Sequence, residues 1–253
     1  MRTHLINLAR RPDRLEAMTR QLDALGIAFE RFDAVDAQSA DPAWMSALFC
    51  GGPLGKLSAG DMACTCSHAA LWRRIAAGTD SHAAILEDDV RLYPDAAKFL
   101  GGAAWVPPEA GVVKLERYGD VNQLVVVGRR GREAFGREVA PLYSRHVGGG
   151  GYVIAREAAA LLGQMTRKIA VPVDQLLFNP GCSPVFDALK PWQLLPAVLE
   201  QHADIGGGTD IRRKRETTFA QRLSRRLGNA RALAGQIALA AAGKARVVKI
   251  AAR

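Results

Sequence analysis

The chain has 253 residues, 49% hydrophobic and 23% charged, values of an ordinary globular protein large enough to bury a sizeable core. No run approaches the ~20 apolar residues of a transmembrane helix, and Met1–Ile6 has no long apolar signal region, so cytoplasmic residence is the expectation. The net charge of +9 is unevenly placed: residues 212–253 hold 12 Lys and Arg against one acid, Glu216, which leaves residues 1–211 at −2. The basicity belongs to the tail, so it does not describe a nucleic-acid footprint of the whole protein. Four cysteines at this length suggest no disulfide framework, and Cys50, Cys64, Cys66 and Cys182 are expected as small buried hydrophobes.

Thr3–Leu8 reads as a first strand. Pro12 suits the first turn of a helix that runs to Leu25 and is ended by Gly26, with Leu15, Met18, Leu22 and Leu25 as its apolar stripe. Ala28–Phe32 is a second strand, and residues 36–57 read as a loop with one short helix. Ser58 and Asp61 form the signature of a helix cap, and the helix that follows is expected to stop at Gly78. Ala83–Leu86 has the apolar run of a buried parallel strand and ends in three consecutive carboxylates, Glu87, Asp88 and Asp89. Ligands of open α/β sheets sit beyond the carboxyl ends of the strands. Alternation lets Glu87 and Asp89 face one way while Asp88 faces the other, offering two hard oxygens to magnesium or manganese; the plain alternative is a charged turn.

Pro94 opens a further short helix. Val112–Leu115, Gln123–Val127, Tyr152–Ala155 and Gln193–Val198 are strand candidates, and Ala155–Thr166 and Val173–Phe178 are helical candidates. This order implies an α/β fold whose sheet is largely parallel at first and mixed later. Gly148–Gly151 lacks the lysine and helix of a P-loop, so close backbone approach to a ligand is the more modest reading. From Thr217 the pattern changes: Phe219, Leu223, Leu227, Ala230, Ala234, Ile237 and Ala241 form a helical stripe, with Arg222, Arg225 and Arg226 on other faces. A basic amphipathic helix suits an anionic membrane surface or a partner; a solvated helix on its own domain, or a floppy tail, is the alternative.

Seven segments in order then match one pattern: Ile6–Arg14, Phe29–Ala37, Leu57–Trp72 with Ser67-His68, Leu86–Val90, Gly150–Ile154, Pro172–Asp174 and Thr209–Ile211. Together they resemble glycosyltransferase family 25, the lipopolysaccharide and lipooligosaccharide glycosyltransferases, over residues 3 to about 211. The four-glycine run, Thr209 in place of a commoner serine, and the charged segment Leu115–Tyr118 depart from the family pattern.

The resemblance implies a GT-A type nucleotide-sugar-binding fold over residues 1–211, followed by the basic tail of 212–253. It implies inverting transfer of a sugar, galactose above all, from a UDP-sugar to a glycolipid or oligosaccharide acceptor, with Mn2+ or Mg2+. Glu87 and Asp89 match the metal-binding acids, and His202 is a third candidate ligand as in some members of that fold class. Asp174 is the candidate base, or else a helix cap. Asn7, Arg11, Arg14, Asp36, His68, Asp88, Gly150 and Tyr152 are candidates for holding the nucleotide-sugar. For Arg11 and Arg14 the plain alternative is a solvated helix start, and for Asp36 a turn. His68 either packs in the core or braces the metal carboxylates from behind. The expected location is the inner face of the cytoplasmic membrane, reached through the tail, with no nucleic-acid partner. Two rival readings are a non-catalytic glycan- or nucleotide-binding protein on the same fold, and an adaptor that uses the tail to bind nucleic acid or protein.

Overall fold

The computed structural model describes residues 1–119, 123–165, 169–201 and 217–253. His202, the Thr209–Ile211 block and residues 212–216 lie outside the described residues.

The first half alternates strands and helices: β1 Arg2–Asn7, α1 Pro12–Ala24, β2 Glu30–Asp33, α2 Pro42–Ser46, α3 Ala59–Ala76, β3 His82–Glu87, β4 Val90–Leu92 and α4 Ala96–Leu100. Strands then dominate: β5 Val112–Lys114, β6 Glu116–Tyr118, β7 Leu124–Gly128, β8 Arg132–Ala134, β9 Arg137–Pro141 and β10 Gly151–Ala155. The remainder comprises α5 Arg156–Gly163, α6 Val173–Phe178, α7 Phe186–Leu189, β11 Pro191–Leu195, β12 Leu199–Gln201, α8 Phe219–Ala241 and β13 Ala245–Lys249.

Local chemistry sets the two helices that frame the site. Pro12 occupies the first turn of α1, and Gly26 takes the left-handed conformation (φ +64°) just beyond its end. Ser58 and Asp61 close a reciprocal capping box at the start of α3.

Eight strands form one mixed sheet in the order β2-β1-β3-β10-β5-β11-β9-β8. β2, β1 and β3 are parallel, whereas β10 runs antiparallel to both β3 and β5. β3 is apolar on both faces because both are covered. Ala83 and Ile85 pack with Trp72 of α3, Leu162 of α5 and Phe178 of α6, while Ala84 and Leu86 pack with Met18 and Leu22 of α1 and Phe99 of α4. The protein is therefore α/β with helices on both faces of a mixed sheet. A second sheet, β4-β12-β6, stands across the carboxyl end of β3, its β12–β4 register placing Gln201 opposite Val90.

The strand expected over Val112–Leu115 stands as β5, which ends at Lys114, and the chain resumes at Glu116 as β6 in the smaller sheet. The C-terminal residues supply a strand that the tail's helical pattern does not announce: β13 pairs with β7, Ile250 is buried, and Arg137 donates to the carbonyl of Arg253. The cysteines are also corrected. Of the four only Cys66 is buried; Cys64 and Cys182 are partly exposed, and Cys50 is exposed in the loop after α2. No described helix is long and apolar enough to cross a membrane.

Candidate active site

β3 ends at Glu87, on the carboxyl end of an interior strand, and Asp88 and Asp89 form the turn into β4. The three acids divide as the alternation implied. Asp88 turns inward, accepting from Asn7 Nδ2 at 2.7 Å and Arg14 Nη1 at 3.0 Å; Arg14 and Asp88 are only 6% and 9% exposed. Glu87 and Asp89 turn the other way and converge on one amide: Gln201 Nε2 donates to Glu87 Oε2 at 2.9 Å and to Asp89 Oδ1 at 2.8 Å.

Behind Glu87 stands a buried relay. Trp72 Nε1 donates to the Tyr152 hydroxyl at 2.9 Å, that hydroxyl meets His68 Nδ1 at 2.8 Å, and His68 Nε2 meets Glu87 Oε1 at 3.0 Å. Indole nitrogen is a donor only, so the assignment that satisfies each member has Tyr152 donating to Nδ1 and His68 donating from Nε2 to the carboxylate. The core and bracing roles of His68 are thus the same role. Cys64 Sγ adds a weak contact to Glu87 Oε1 at 3.5 Å.

Burial tends to raise the Glu87 pKa, but the hydrogen bonds from His68, Cys64 and Gln201 act together against it and hold the carboxyl below its usual range. Asp89 is pushed up to about 8 by burial and by the charge of Glu87 beside it.

A cavity of about 460 Å³ opens beside the acids, walled by Glu87, Asp88 and Asp89 with Arg10, Arg14 and Asp36, and by the start of α3. Arg10 Nε donates to Asp36 at 2.8 Å across its rim. Of the candidates, Arg14, Asp36, Glu87, Asp88 and Asp89 share this cavity. Asn7 lies behind it, holding Asp88, and Arg11 sits at the N-terminal cap of α1 and pairs with Asp13 at 2.7 Å. Tyr152 is fully buried, so its part is to hold His68.

The glycine run lies against the acids on the β10 side. Glu87 N donates to Gly150 O at 2.8 Å. Below it lies a buried ion pair, Lys114 Nζ to Glu116 Oε1 at 2.5 Å; Lys114 also donates to Gly148 O, and Gly150 N donates to Glu116 Oε1 at 3.1 Å. Burial pushes the Glu116 carboxyl up to about 7, against the pull of Lys114. A Cβ on Gly149 would lie 3.8 Å from Glu87 Oε1 and 4.0 Å from Asp174 Cβ, so Gly149 lies next to both Glu87 and Asp174. Asp174 is not the cap of α6: Pro172 holds that position, while Asp174 Oδ2 accepts from Gln175 Nε2 at 2.6 Å and faces a second cavity.

Sequence reasoning missed Gln201 and Arg10. Gln201 carried no signal, being a single amide far along the chain from the acids. Arg10 stands next to Arg11 in the motif, and only the turn before α1 decides which of the two faces the cavity.

A family model, glycosyltransferase family 25 (LPS biosynthesis protein), matches residues 1–177. The chain belongs to glycosyltransferase family 25. It is 33% identical over 215 residues to a lacto-N-neotetraose biosynthesis glycosyltransferase, LgtB, of Neisseria meningitidis serogroup A, covering 79% of this chain and 74% of the relative. It is 26% identical to the lipooligosaccharide biosynthesis protein lic2B of Haemophilus influenzae, covering 80% of this chain and 76% of the relative. A glycosyltransferase 25 family member of Aedes aegypti is 28% identical over 70% of this chain and 30% of its own length. The protein is accordingly a glycosyltransferase, related to enzymes of lipooligosaccharide and lipopolysaccharide biosynthesis, and its family implies a nucleotide-sugar donor and a glycan acceptor.

Proposed function

We propose that this enzyme transfers galactose from UDP-galactose, with inversion, to a lipooligosaccharide or related cell-surface glycan, and that Glu87 and Asp89 hold a divalent cation. The observation that carries this reading is the pairing of two carboxylates on a single neutral amide at the mouth of the cavity, with Asp174 beside Gly149. The donor set fits magnesium or manganese: hard oxygens, one braced from behind by histidine, with room beside them for phosphate oxygens. Bound there, the cation would neutralise charge developing on the departing diphosphate.

The chain's own residues account for the rest. Arg10 and Arg14 flank the cavity, where a guanidinium suits phosphate or uracil oxygens. Asp174 lies, like Glu87, beside Gly149, and in this reading the acceptor hydroxyl of an inverting reaction approaches from its side. As the hydroxyl oxygen bonds to the anomeric carbon, the bond from that carbon to the diphosphate oxygen breaks. The hydroxyl proton passes to Asp174, and the electron pair leaves with UDP.

α8 supports a location on the inner face of the cytoplasmic membrane. Phe219, Leu227 and Ile237 are 74%, 62% and 59% exposed along one face, flanked by Arg222, Arg226 and Arg231. An anionic bilayer offers both an apolar interior for that face and charge for the arginines.

The deciding experiment incubates the full chain with a panel of nucleotide sugars, with and without Mn2+, and follows sugar transfer and thermal stabilisation. UDP-galactose is expected to be preferred in a manganese-dependent manner. Asp174→Asn is expected to keep donor binding and to lose transfer by about 10²–10⁴-fold, the range of a positioned general base. Near-normal transfer by that variant would remove Asp174 from the role; preference for another sugar nucleotide would overturn the donor assignment.

A further inference from the structure

The two oxygens of Glu87 meet different neighbours. Oε2 accepts from Gln201, the amide shared with Asp89, whereas Oε1 meets His68 Nε2 at 3.0 Å and Cys64 Sγ at 3.5 Å. Around Oε1 the fold thus gathers three kinds of metal-binding atom: a thiol sulfur, an imidazole nitrogen and a carboxylate oxygen. All three lie within 4.8 Å of one another.

Local structure explains the cluster. Cys64 and His68 stand one turn apart on α3, so a single helix face carries both, and Glu87 is the last residue of β3. His68 is fixed from behind, its Nδ1 meeting the Tyr152 hydroxyl at 2.8 Å. An imidazole held through its other nitrogen is oriented as metal-ligating histidines are. Cys64 and Glu87 both line the 460 Å³ cavity, so an ion that enters it meets the thiol and the carboxylate together.

The distances select the ion. Zinc takes sulfur at about 2.3 Å and nitrogen or oxygen at about 2.0–2.1 Å, so a tetrahedral site needs roughly 3.5 Å from S to O and roughly 3.3 Å from N to O. The sulfur–oxygen distance of 3.5 Å already fits, and the nitrogen–oxygen pair has to open from 3.0 Å by roughly 0.3 Å. Thiolate with imidazole suits zinc and cadmium, whereas magnesium and manganese prefer the all-oxygen pair of Glu87 and Asp89. Coordination releases the Cys64 proton to solvent and moves the His68 proton from Nε2 to Nδ1. From there it donates to the Tyr152 oxygen, which has a lone pair beyond the one Trp72 uses. The Tyr152 proton gives up Nδ1 as its acceptor in exchange.

We propose that Cys64, His68 and Glu87 Oε1 form a site for a thiophilic dication, zinc above all, and that filling it denies Glu87 to the hard cation of the transfer reaction. The site stands on the cluster itself; the exclusion rests on the manganese reading above. Asp88 is already matched by Arg14, which leaves Glu87, Asp89 and a Cys64 thiolate as the negative charges at hand. One dication offsets most of that charge, and two would exceed it. Zinc also takes from Glu87 the His68 hydrogen bond that braces it. The enzyme is then sensitive to zinc through its own donor cavity.

The test titrates the full, reduced chain with Cd2+ and follows the ultraviolet charge-transfer absorption of a cadmium–thiolate bond. The band is expected in the unaltered protein, in Cys50→Ser and in Cys182→Ser. It is expected to vanish in Cys64→Ser, where Zn2+ affinity should fall by about 100-fold or more, since even an outer partner of a metal ligand contributes up to that much. Cys64 is partly exposed and serine is close to it in size, so the variant folds. No band in the unaltered protein, a band that survives Cys64→Ser, or one lost with Cys50 or Cys182 would overturn the site. A second measurement adds Zn2+ to the protein loaded with Mn2+ and reads the released Mn2+ by electron paramagnetic resonance. Release that needs about 100-fold more Zn2+ in Cys64→Ser supports the exclusion; Mn2+ retained while the cadmium site is filled overturns it. Failure of Mn2+ to bind at all, with the cadmium band still dependent on Cys64, would count against the manganese reading and in favour of the site.

Discussion

Adding one methyl group to the glycine run separates folding from chemistry. A Cβ on Gly149 would meet Val173 Cγ1 at 3.4 Å, Glu87 Oε1 at 3.8 Å and Asp174 Cβ at 4.0 Å, all ordinary contacts. One residue on, a Cβ on Gly150 would meet Glu116 Oε2 at 2.7 Å, Val90 Cγ1 at 2.7 Å and Gln201 Cδ at 2.9 Å. Neither glycine has a left-handed backbone, in contrast to Gly148 at φ +92°.

Gly149→Ala should therefore be neutral or slightly stabilising, by about 0.4–1 kcal/mol, because alanine narrows the unfolded ensemble. Gly150→Ala overpacks a closed site and should cost about 1–3 kcal/mol. For a chain of this size each kcal/mol moves the midpoint by roughly 2–4 °C. Activity should order differently. The Gly149 methyl would stand beside Glu87 and Asp174, where the proposed reaction places the sugar, and displacements near 1 Å cost on the order of 10²-fold in rate. Thermal melts and a transfer assay on both variants check this. Wild-type turnover by Gly149→Ala would refute the placement of the sugar there, and a Gly150→Ala protein as stable as wild type would refute the packing argument.

Replacing His68 with Leu removes the donor to Glu87 and leaves the Tyr152 hydroxyl proton without its acceptor. Stability should fall by about 1–3 kcal/mol and manganese affinity by roughly 10–100-fold, read by denaturant melts and by metal titration; unchanged metal affinity would show that Glu87 needs no brace. Glu116 binds its proton more tightly when folded, its pKa rising from 4.5 to about 7 through burial. Its contribution to stability is therefore full below pH 4.5 and lost as pH rises through 7, up to about 3 kcal/mol. Glu116→Gln should flatten that part of the stability profile between pH 5 and 8; parallel profiles for the two proteins would refute the assignment.

What could be read from the sequence was whatever a local pattern enforces. The β3 run, the Ser58–Asp61 capping box and the Pro12–Gly26 helix limits each depend on neighbours a few residues apart, and each stands where expected. Groups brought in from a distance left no such trace. Gln201 reaches the acids only because β12 pairs with β4, both strands of three residues and too short to show alternation. β13 was hidden because Ala245–Lys249 follows a long basic helix, whose periodicity dominates the reading of the tail. The second cavity was illegible for a related reason: it needs Gly228 against Gly181, and two isolated glycines give no sign that they touch.

The three acids show how the fold treats charge selectively. Asp88 receives a buried cation, Arg14, together with the Asn7 amide, so its charge is matched inside the protein. Glu87 and Asp89 share one neutral amide, with only a histidine and a thiol behind Glu87. Arg14 lies on the wall of the same cavity and goes to the third acid. An amide can orient two carboxylates but cannot offset two charges, and the cost shows in Asp89, which burial and the charge of Glu87 push up to about 8. A fold that needed this corner only for stability would gain by changing either acid to an amide. Holding both, aimed at one amide and beside a cavity that Arg10 and Arg14 also line, is the physical ground on which the proposed divalent cation rests.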